Sequence, residues 1–254
     1  MKYIPYSHSK LSTYYQCPMK FKLNYIDKIK VPFNSNVALL KGSHIHKILE
    51  NNFNYDTPFE LNNIYGLEDY NKTIDIVKKF QVSELGLKIA KLINIGVKEQ
   101  NFAFDENFLQ SKYYDKNTFF RGSADLYYIK NDICYIFDYK SGKDKSTDAD
   151  FGVDQAMVYA LNIFSKHPNV QIVKAFFVFI EYEVEKKIEF FRENIEYYKK
   201  TLLDGVSKCE EDIFFKKNTG PLCDYCQFKE HGHCGGQENH EEFFNQKFCL
   251  DLFL

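Results

Sequence analysis

Arginine is nearly missing from this chain: of 33 basic residues only Arg121 and Arg192 carry a guanidinium. Lysine, asparagine, isoleucine, tyrosine and phenylalanine abound instead, the bias of AT-rich coding DNA found in some bacteria and many of their viruses. Long apolar runs are missing too. None reaches the roughly 18 residues that a membrane-spanning helix needs, and Met1 to Lys10 has no signal-peptide core. The expected location is therefore cytoplasmic, the host cytoplasm if the chain is viral, with no membrane partner. Seven cysteines without a secretory signal argue against a disulfide framework and for a metal or cluster role for some of them. The formal charge is only -2, so the molecule as a whole is no electrostatic magnet for nucleic acid.

What is present is enough apolar material for a core. With 254 residues, 44% of them hydrophobic, the chain can form one domain, or one domain with a small appendage. Charge is unevenly distributed. Residues 1–50 hold eight lysines against Asp27 and Glu50, an excess that suits a phosphate backbone and equally suits a solvated helix face.

The stretch RGSADLYYIKNDICYIFDYKSG, Arg121 to Gly142, reads as a β-hairpin. Two runs rich in aromatic and β-branched residues, Phe119 to Ile129 and Ile133 to Tyr139, meet at Asn131-Asp132. If that dipeptide is the whole loop, Asp125 lies across the ladder from Asp138. Opposed like charges are unfavourable unless something cationic sits between them, and a metal ion answers that need. Asp138 and Lys140 leave one face of the strand while Tyr139 leaves the other. Two acids and an amine then meet at one spot; the plainer alternative is a solvated surface hairpin.

Elsewhere the chain alternates helix and strand signals. Ser9 can cap a helix carrying Leu11, Tyr14 and Tyr15, and Pro18 should break it at Cys17. Pro32 to Asn36 reads as a loop, and Gly42-Ser43 opens a second helix on which His46 lies one residue from the apolar stripe. Residues 54–100 look mostly helical. The sheet is expected to begin near Glu106, and the polar segment after Lys140 to be a loop. Val153 to Phe164 reads as a helix with Gln155 and Tyr159 one turn apart, Val170 to Tyr182 as a buried strand, Lys186 to Phe191 as a strand, and Glu193 to Glu211 as a helix. Near the end Cys223, Cys226 and Cys234 stand as C-x2-C-x7-C, a metal signal. Cys17, Cys209, Cys249, His231 and His233 compete to be the fourth ligand. The apolar tail FCLDLFL follows.

In this order the pieces resemble the RecB-type nucleases of the PD-(D/E)XK superfamily. The nearest branch is the one with an iron-sulfur cluster, which includes AddB-type helicase-nucleases and CRISPR-associated iron-sulfur exonucleases. The marks are S-K-L-S-T-Y-Y-Q-C-P ending at Pro18, G-x3-H ending at His46, G-x2-D ending at Asp125, D-Y-K at Asp138 to Lys140, Q-x3-Y at Gln155 and Tyr159, and the cysteine trio. The resemblance implies an α/β, restriction-endonuclease-like mixed central sheet flanked by helices, with a cluster region joining the N- and C-terminal segments. It implies one nuclease domain over 1–254: a cluster region of 1–30 plus 209–240, a helical segment over 42–100 and a nuclease core over 102–211. His46, Asp125, Asp138 and the Tyr139 carbonyl match the metal ligands, and Lys140 the catalytic lysine. Glu106 stands where the family often carries a further acid. Gln155 and Tyr159 match a helix motif that touches DNA, and Cys17, Cys223, Cys226 and Cys234 match ligands of a 4Fe-4S cluster, with structural Zn2+ as the alternative.

The chemistry suits the residue types. Hydrolysing a phosphodiester requires a nucleophilic water, neutralisation of the phosphate and help for the leaving oxygen. Carboxylates hold Mg2+ or Mn2+, an imidazole favours Mn2+, and a neighbouring lysine orients or deprotonates the water. The expected function is a metal-dependent DNA nuclease, a single-strand-preferring exonuclease of recombination, repair or CRISPR adaptation, phage or bacterial. The competing class is a catalytically idle DNA-binding or scaffold subunit. No helicase motif is present, so a helicase or an adaptation protein would be a separate partner.

Overall fold

The computed structural model of the protein describes residues 5–32 and 36–234. Part of the expected loop at Pro32 to Asn36, Cys249 and the apolar tail lie outside the described residues. The chain forms two compact units. One gathers Met1–Asn34, Ala103–Gly122 and Ile195–Leu254; the other gathers Ser35–Phe102 and Ser123–Asn194.

In the first unit helix α1 (His8–Gln16) starts where the Ser7 side chain accepts the Lys10 N–H, so the cap falls two residues before Ser9. It ends at Cys17, whose backbone is extended, and Pro18 opens the short helix α2 (Pro18–Phe21), as proline at a first helical position does. A π-turn, Lys22–Ile26, follows. Helix α1 packs on α7 (Ile195–Glu211) through tyrosine hydroxyls: the single Tyr14 hydroxyl hydrogen is shared between Lys208 O and Asp212 Oδ2, Tyr15 donates to Gly205 O, and Tyr6, just ahead of α1, donates to Glu210 Oε1. The segments around residues 16–19 and 216–218 are tied as well. Asn218 Nδ2 donates to Gln16 O at 2.8 Å, and the Met19 N–H to Lys216 O.

The second unit holds helices α3 (Val37–Glu50), α4 (Leu67–Val82), α5 (Glu84–Ile93) and α6 (Val153–Lys166). Helix α3 begins at the Asn36 cap, six residues ahead of the expected Gly42-Ser43 start, because Asn36 Oδ1 takes the Leu39 N–H at 2.9 Å. A five-stranded mixed sheet has the order β1-β2-β3-β4-β5: β1 (Val97–Phe104), β2 (Phe120–Lys130), β3 (Ile133–Lys140), β4 (Ile172–Phe179) and β5 (Val184–Phe191). Strands β2 and β3 are antiparallel, with Lys130 opposite Ile133 and Leu126 opposite Phe137, so Asn131-Asp132 is the two-residue loop and Asn131 takes its φ of 58°. Strand β4 runs parallel to β3, reached through α6, and β5 antiparallel to β4.

The sheet begins earlier than the sequence suggests. Strand β1 starts at Val97, and Glu106 falls in a turn, where Asp105 Oδ1 accepts the N–H groups of Asn107 and Leu109 at 2.9 Å each. Strand β4 is covered on both faces, which explains its unbroken apolar run. Phe176, Val178 and Ile180 join Phe137, Tyr139 and Leu126 under Ile45, Leu49, Val77 and Ile89 of α3, α4 and α5. Fully burying a side chain of this size contributes about 1.5–3 kcal/mol. Gly152 precedes α6 with φ of 81°, and a Cβ there would meet the Phe177 ring at 2.3 Å, so the helix is seated against the sheet by a glycine.

Candidate active site

The hairpin positions the acids. One step beyond the Leu126–Phe137 pair the Tyr139 N–H donates at 2.7 Å to Asp125 Oδ2, a side chain in place of a ladder carbonyl. The ladder pairs run up to Leu126–Phe137, which leaves Asp125 and Asp138 as the next residue on each strand. Alternation then sends Tyr139 into the core under α3 and Asp138 toward α6.

Helix α3 delivers His46. Gly42, one turn earlier, makes the approach possible: a Cβ there would come within 2.8 Å of Ser141 Oγ, just past the end of β3. The imidazole sits between two acceptors, Nδ1 at 3.3 Å from Asp125 Oδ1 and Nε2 at 2.9 Å from the Tyr139 carbonyl. Burial works against its protonation, yet the hydrogen bond to Asp125 and the charges of Asp125, Asp138 and Glu99 push its pKa up to about 9. A shallow opening of about 390 Å3, lined by Ala38, Leu39, Gly42, Ser43, His46 and Ser141, leads to it.

The third acid here is Glu99, which the sequence reading passed over. Among the described residues, the donor atoms of His46, Glu99 and Asp125 form the one His/Cys/Asp/Glu group lying within 4.8 Å of one another. Glu99, on the edge strand β1, has φ of 47°, a conformation an L residue adopts at a cost. Glu99 is itself exposed, and partial shielding of its carboxyl from water together with the Asp125 charge pushes it up to about 7 against the pull of His46. Glu106, the acid expected here, is exposed in its turn and outside this group.

Asp138 is the most enclosed of the acids, 6% exposed. Its Oδ1 lies 2.7 Å from Lys140 Nζ, and its Oδ2 accepts from Gln155 Nε2 at 2.7 Å and from the Tyr159 hydroxyl at 2.6 Å. Burial raises its carboxyl, opposed by Lys140. Lys140 also donates to Gln155 Oε1 at 3.1 Å and stands 5.2 Å over the Phe177 ring. Gln155 and Tyr159 therefore turn inward. The Tyr159 ring, 4% exposed, leans edge-on against Phe102, and its hydroxyl is committed to Asp138.

A divalent cation fits the outer half of this site. Two carboxylates, an imidazole and a backbone carbonyl are hard-to-borderline donors, and the donor atoms of His46, Glu99 and Asp125 already lie within 4.8 Å of one another.

Cys17, Cys223, Cys226 and Cys234 lie in the other unit. Cys17 separates α1 from α2; Cys223 lies in a 3-10 turn, Pro221–Tyr225; and Cys226 caps helix α8 (Gln227–Glu230). The Cys234 thiol is raised by burial and by Cys17, Cys226 and Cys223, against Lys217. Of the competitors, Cys209 is buried in α7, with its thiol pushed up to about 12 by burial, and His231 and His233 are exposed.

The solved structure of a Eubacterium rectale protein named "Putative exonuclease" is similar, with a TM-score of 0.55 at 14% identity over 92% of this chain and 90% of that one. At that identity the likeness speaks for the fold. A second structure, of a protein named SSO0001, gives a TM-score of 0.34 at 12% identity over 84% of this chain and 93% of that one, and carries no argument. Among the curated proteins none matches. No described helix is long and apolar enough to cross a membrane. The family model of the PD-(D/E)XK nuclease superfamily matches residues 5–231, a span holding His46, Glu99, Asp125, Asp138 and Lys140, so the chain belongs to that superfamily.

Proposed function

We propose that the protein is a metal-dependent deoxyribonuclease, an exonuclease preferring single-stranded ends, of the RecB-type iron-sulfur branch. The observation that carries this reading is the convergence of His46, Glu99 and Asp125 beside the Asp138–Lys140 pair, in one unit and at the end of one hairpin. His46, Glu99, Asp125 and the Tyr139 carbonyl would hold Mg2+ or Mn2+, with Asp138 joining when Lys140 turns to the substrate. Such an ion, when bound, lowers the pKa of a water and offsets charge on the phosphate. Lys140, whose Nζ lies 2.7 Å from Asp138 Oδ1, orients the attacking water and meets a non-bridging phosphate oxygen. Gln155 and Tyr159 hold Asp138 in place, and through it Lys140.

The second cofactor in this reading is a 4Fe-4S cluster on Cys17, Cys223, Cys226 and Cys234. The support is the donor set, four thiols from the two ends of the chain, and the hydrogen bonds from Asn218 to Gln16 and from Met19 to Lys216 that join their segments. Local zinc sites draw ligands from two nearby pairs instead. The cluster's role is structural, closing a loop of the unfolded chain that spans most of its length. The setting is recombination, repair or CRISPR adaptation, in a bacterial or viral genome, with any helicase a separate partner.

Digestion of end-labelled DNA tests the reading. With Mg2+ or Mn2+, linear single strands should shorten from an end, while closed circular single strands of the same sequence persist. Rapid cutting of the circles would replace the exonuclease with an endonuclease. No cutting of any DNA would favour the idle binding subunit.

A further inference from the structure

Arg121, one of two arginines in the chain, stands on a pair of tyrosines. Its guanidinium lies 5.0 Å from the Tyr113 ring centroid and 5.9 Å from that of Tyr114, and the two rings meet edge to face at 5.0 Å and 78°. Tyr114 is 88% exposed, so folding leaves its ring uncovered. The loop that carries it is nevertheless pinned. Thr118 Oγ1 donates to Lys112 O at 2.8 Å, the Asn117 N–H to Asp115 Oδ1 at 2.9 Å, and the Ser111 and Arg121 N–H groups to Ala103 O and Tyr6 O.

A second cation stands close by in the same unit. Lys10 lies 5.2 Å over the Tyr6 ring and 5.3 Å over Tyr25, and donates to Pro5 O at 3.2 Å. Its pKa is lowered to about 8, first by burial and then by the charges of Arg121 and Lys28, with Cys209 and Glu210 acting the other way. Cations that repel one another beside an uncovered aromatic ring suit a ligand that brings both an anion and a flat face.

We infer that Tyr114, Tyr113, Arg121 and Lys10 form a docking point for one nucleotide of a single DNA strand, the base stacking on Tyr114 and the phosphate meeting Arg121 and Lys10. Paired bases are already stacked on their neighbours, whereas every unpaired base has a face to offer, so the site selects single strands without reading sequence. That choice of DNA rests on the nuclease reading. The surface itself differs from Gln155 and Tyr159, which face inward.

The test is fluorescence polarisation of a fluorescein-labelled oligothymidylate and a duplex of equal length, with EDTA present and the full chain throughout. Tyr114→Ala should weaken single-strand binding at least about fivefold, as loss of one stacked base does. Tyr114→Phe should bind like the unsubstituted protein, and duplex binding should be unchanged by Tyr114→Ala. Arg121→Ala should weaken binding and reduce the salt slope by about 0.7, the share of one phosphate contact on a single strand. Unaltered affinity in Tyr114→Ala, or an equal loss on duplex, overturns the docking point. A protein that binds the oligothymidylate through Tyr114 yet cuts no DNA with Mg2+ or Mn2+ loses the nuclease reading alone.

Discussion

Tyr159 donates its phenolic hydrogen to Asp138 Oδ2 across 2.6 Å, helix to strand, with 4% of the tyrosine and 6% of the aspartate exposed. Hydrogen bonds to a buried carboxylate contribute about 1.5–3 kcal/mol each. Tyr159→Phe keeps the ring against Phe102 and removes that bond. It should lower kcat on single-stranded DNA by roughly 10- to 100-fold with KM little changed, the effect of a partner that orients a catalytic group. A variant with full kcat would show that Asp138 does not depend on it.

Glu99 and Glu106 can be told apart by metal binding. Calorimetric titration with Mn2+ should give an affinity roughly tenfold weaker or more for Glu99→Gln, because one of two carboxylates facing His46 is neutralised. Glu106→Gln, altered in an exposed turn, should titrate like the unsubstituted protein. The opposite pattern would return the role to Glu106.

The contrast between those two acids shows what a sequence carries. The hairpin register was readable because Asn tolerates the left-handed turn, and a two-residue loop leaves one pairing. Pro18 likewise announces the break at Cys17. Glu99 was not readable, since its direction depends on a positive φ that nothing in Lys98-Glu99-Gln100 signals. Glu106 stands where the family resemblance puts an acid, but the sheet begins nine residues earlier, at Val97, and Asp105 folds the Glu106 segment into a turn. Gln155 and Tyr159 were legible as a pair on one helix face. That the face turns toward Asp138 is a tertiary fact, set by how Gly152 seats α6 on Phe177.

Buried thiols give a pH dependence. Cys134, wholly enclosed in β3, has its pKa pushed from 9.0 up to about 12 by burial. The folded value lies above the unfolded one, so the contribution is complete below pH 9 and is lost as pH rises from 9 toward 12. By pH 11 the loss approaches about 2.5 kcal/mol. Urea unfolding at pH 8 and pH 10.5 should show a smaller alkaline loss for Cys134→Val than for the unsubstituted protein. Equal losses would locate the alkaline sensitivity elsewhere.

Cys17→Ala should lower thermal stability and DNA cleavage together, although the residue lies in the unit that does not hold His46, Asp125 and Asp138. Anaerobically purified protein should be brown and contain about four irons, the content of the cluster that four such thiolates hold. A colourless, zinc-loaded and fully active preparation would replace the cluster with zinc and leave the nuclease intact.

The central claim is that Asp138 and Lys140 form one hydrolytic site with His46, Glu99 and Asp125, and the most direct measurement compares Asp138→Ala with Lys140→Ala. Release of labelled nucleotides from linear single-stranded DNA is followed beside Mn2+ calorimetry on the same proteins. Both variants should lose cleavage by at least about a thousandfold, the scale on which loss of acid–base and electrostatic help is felt. Metal binding should weaken in Asp138→Ala and persist in Lys140→Ala. Cleavage at the unsubstituted rate by either variant would contradict the assignment.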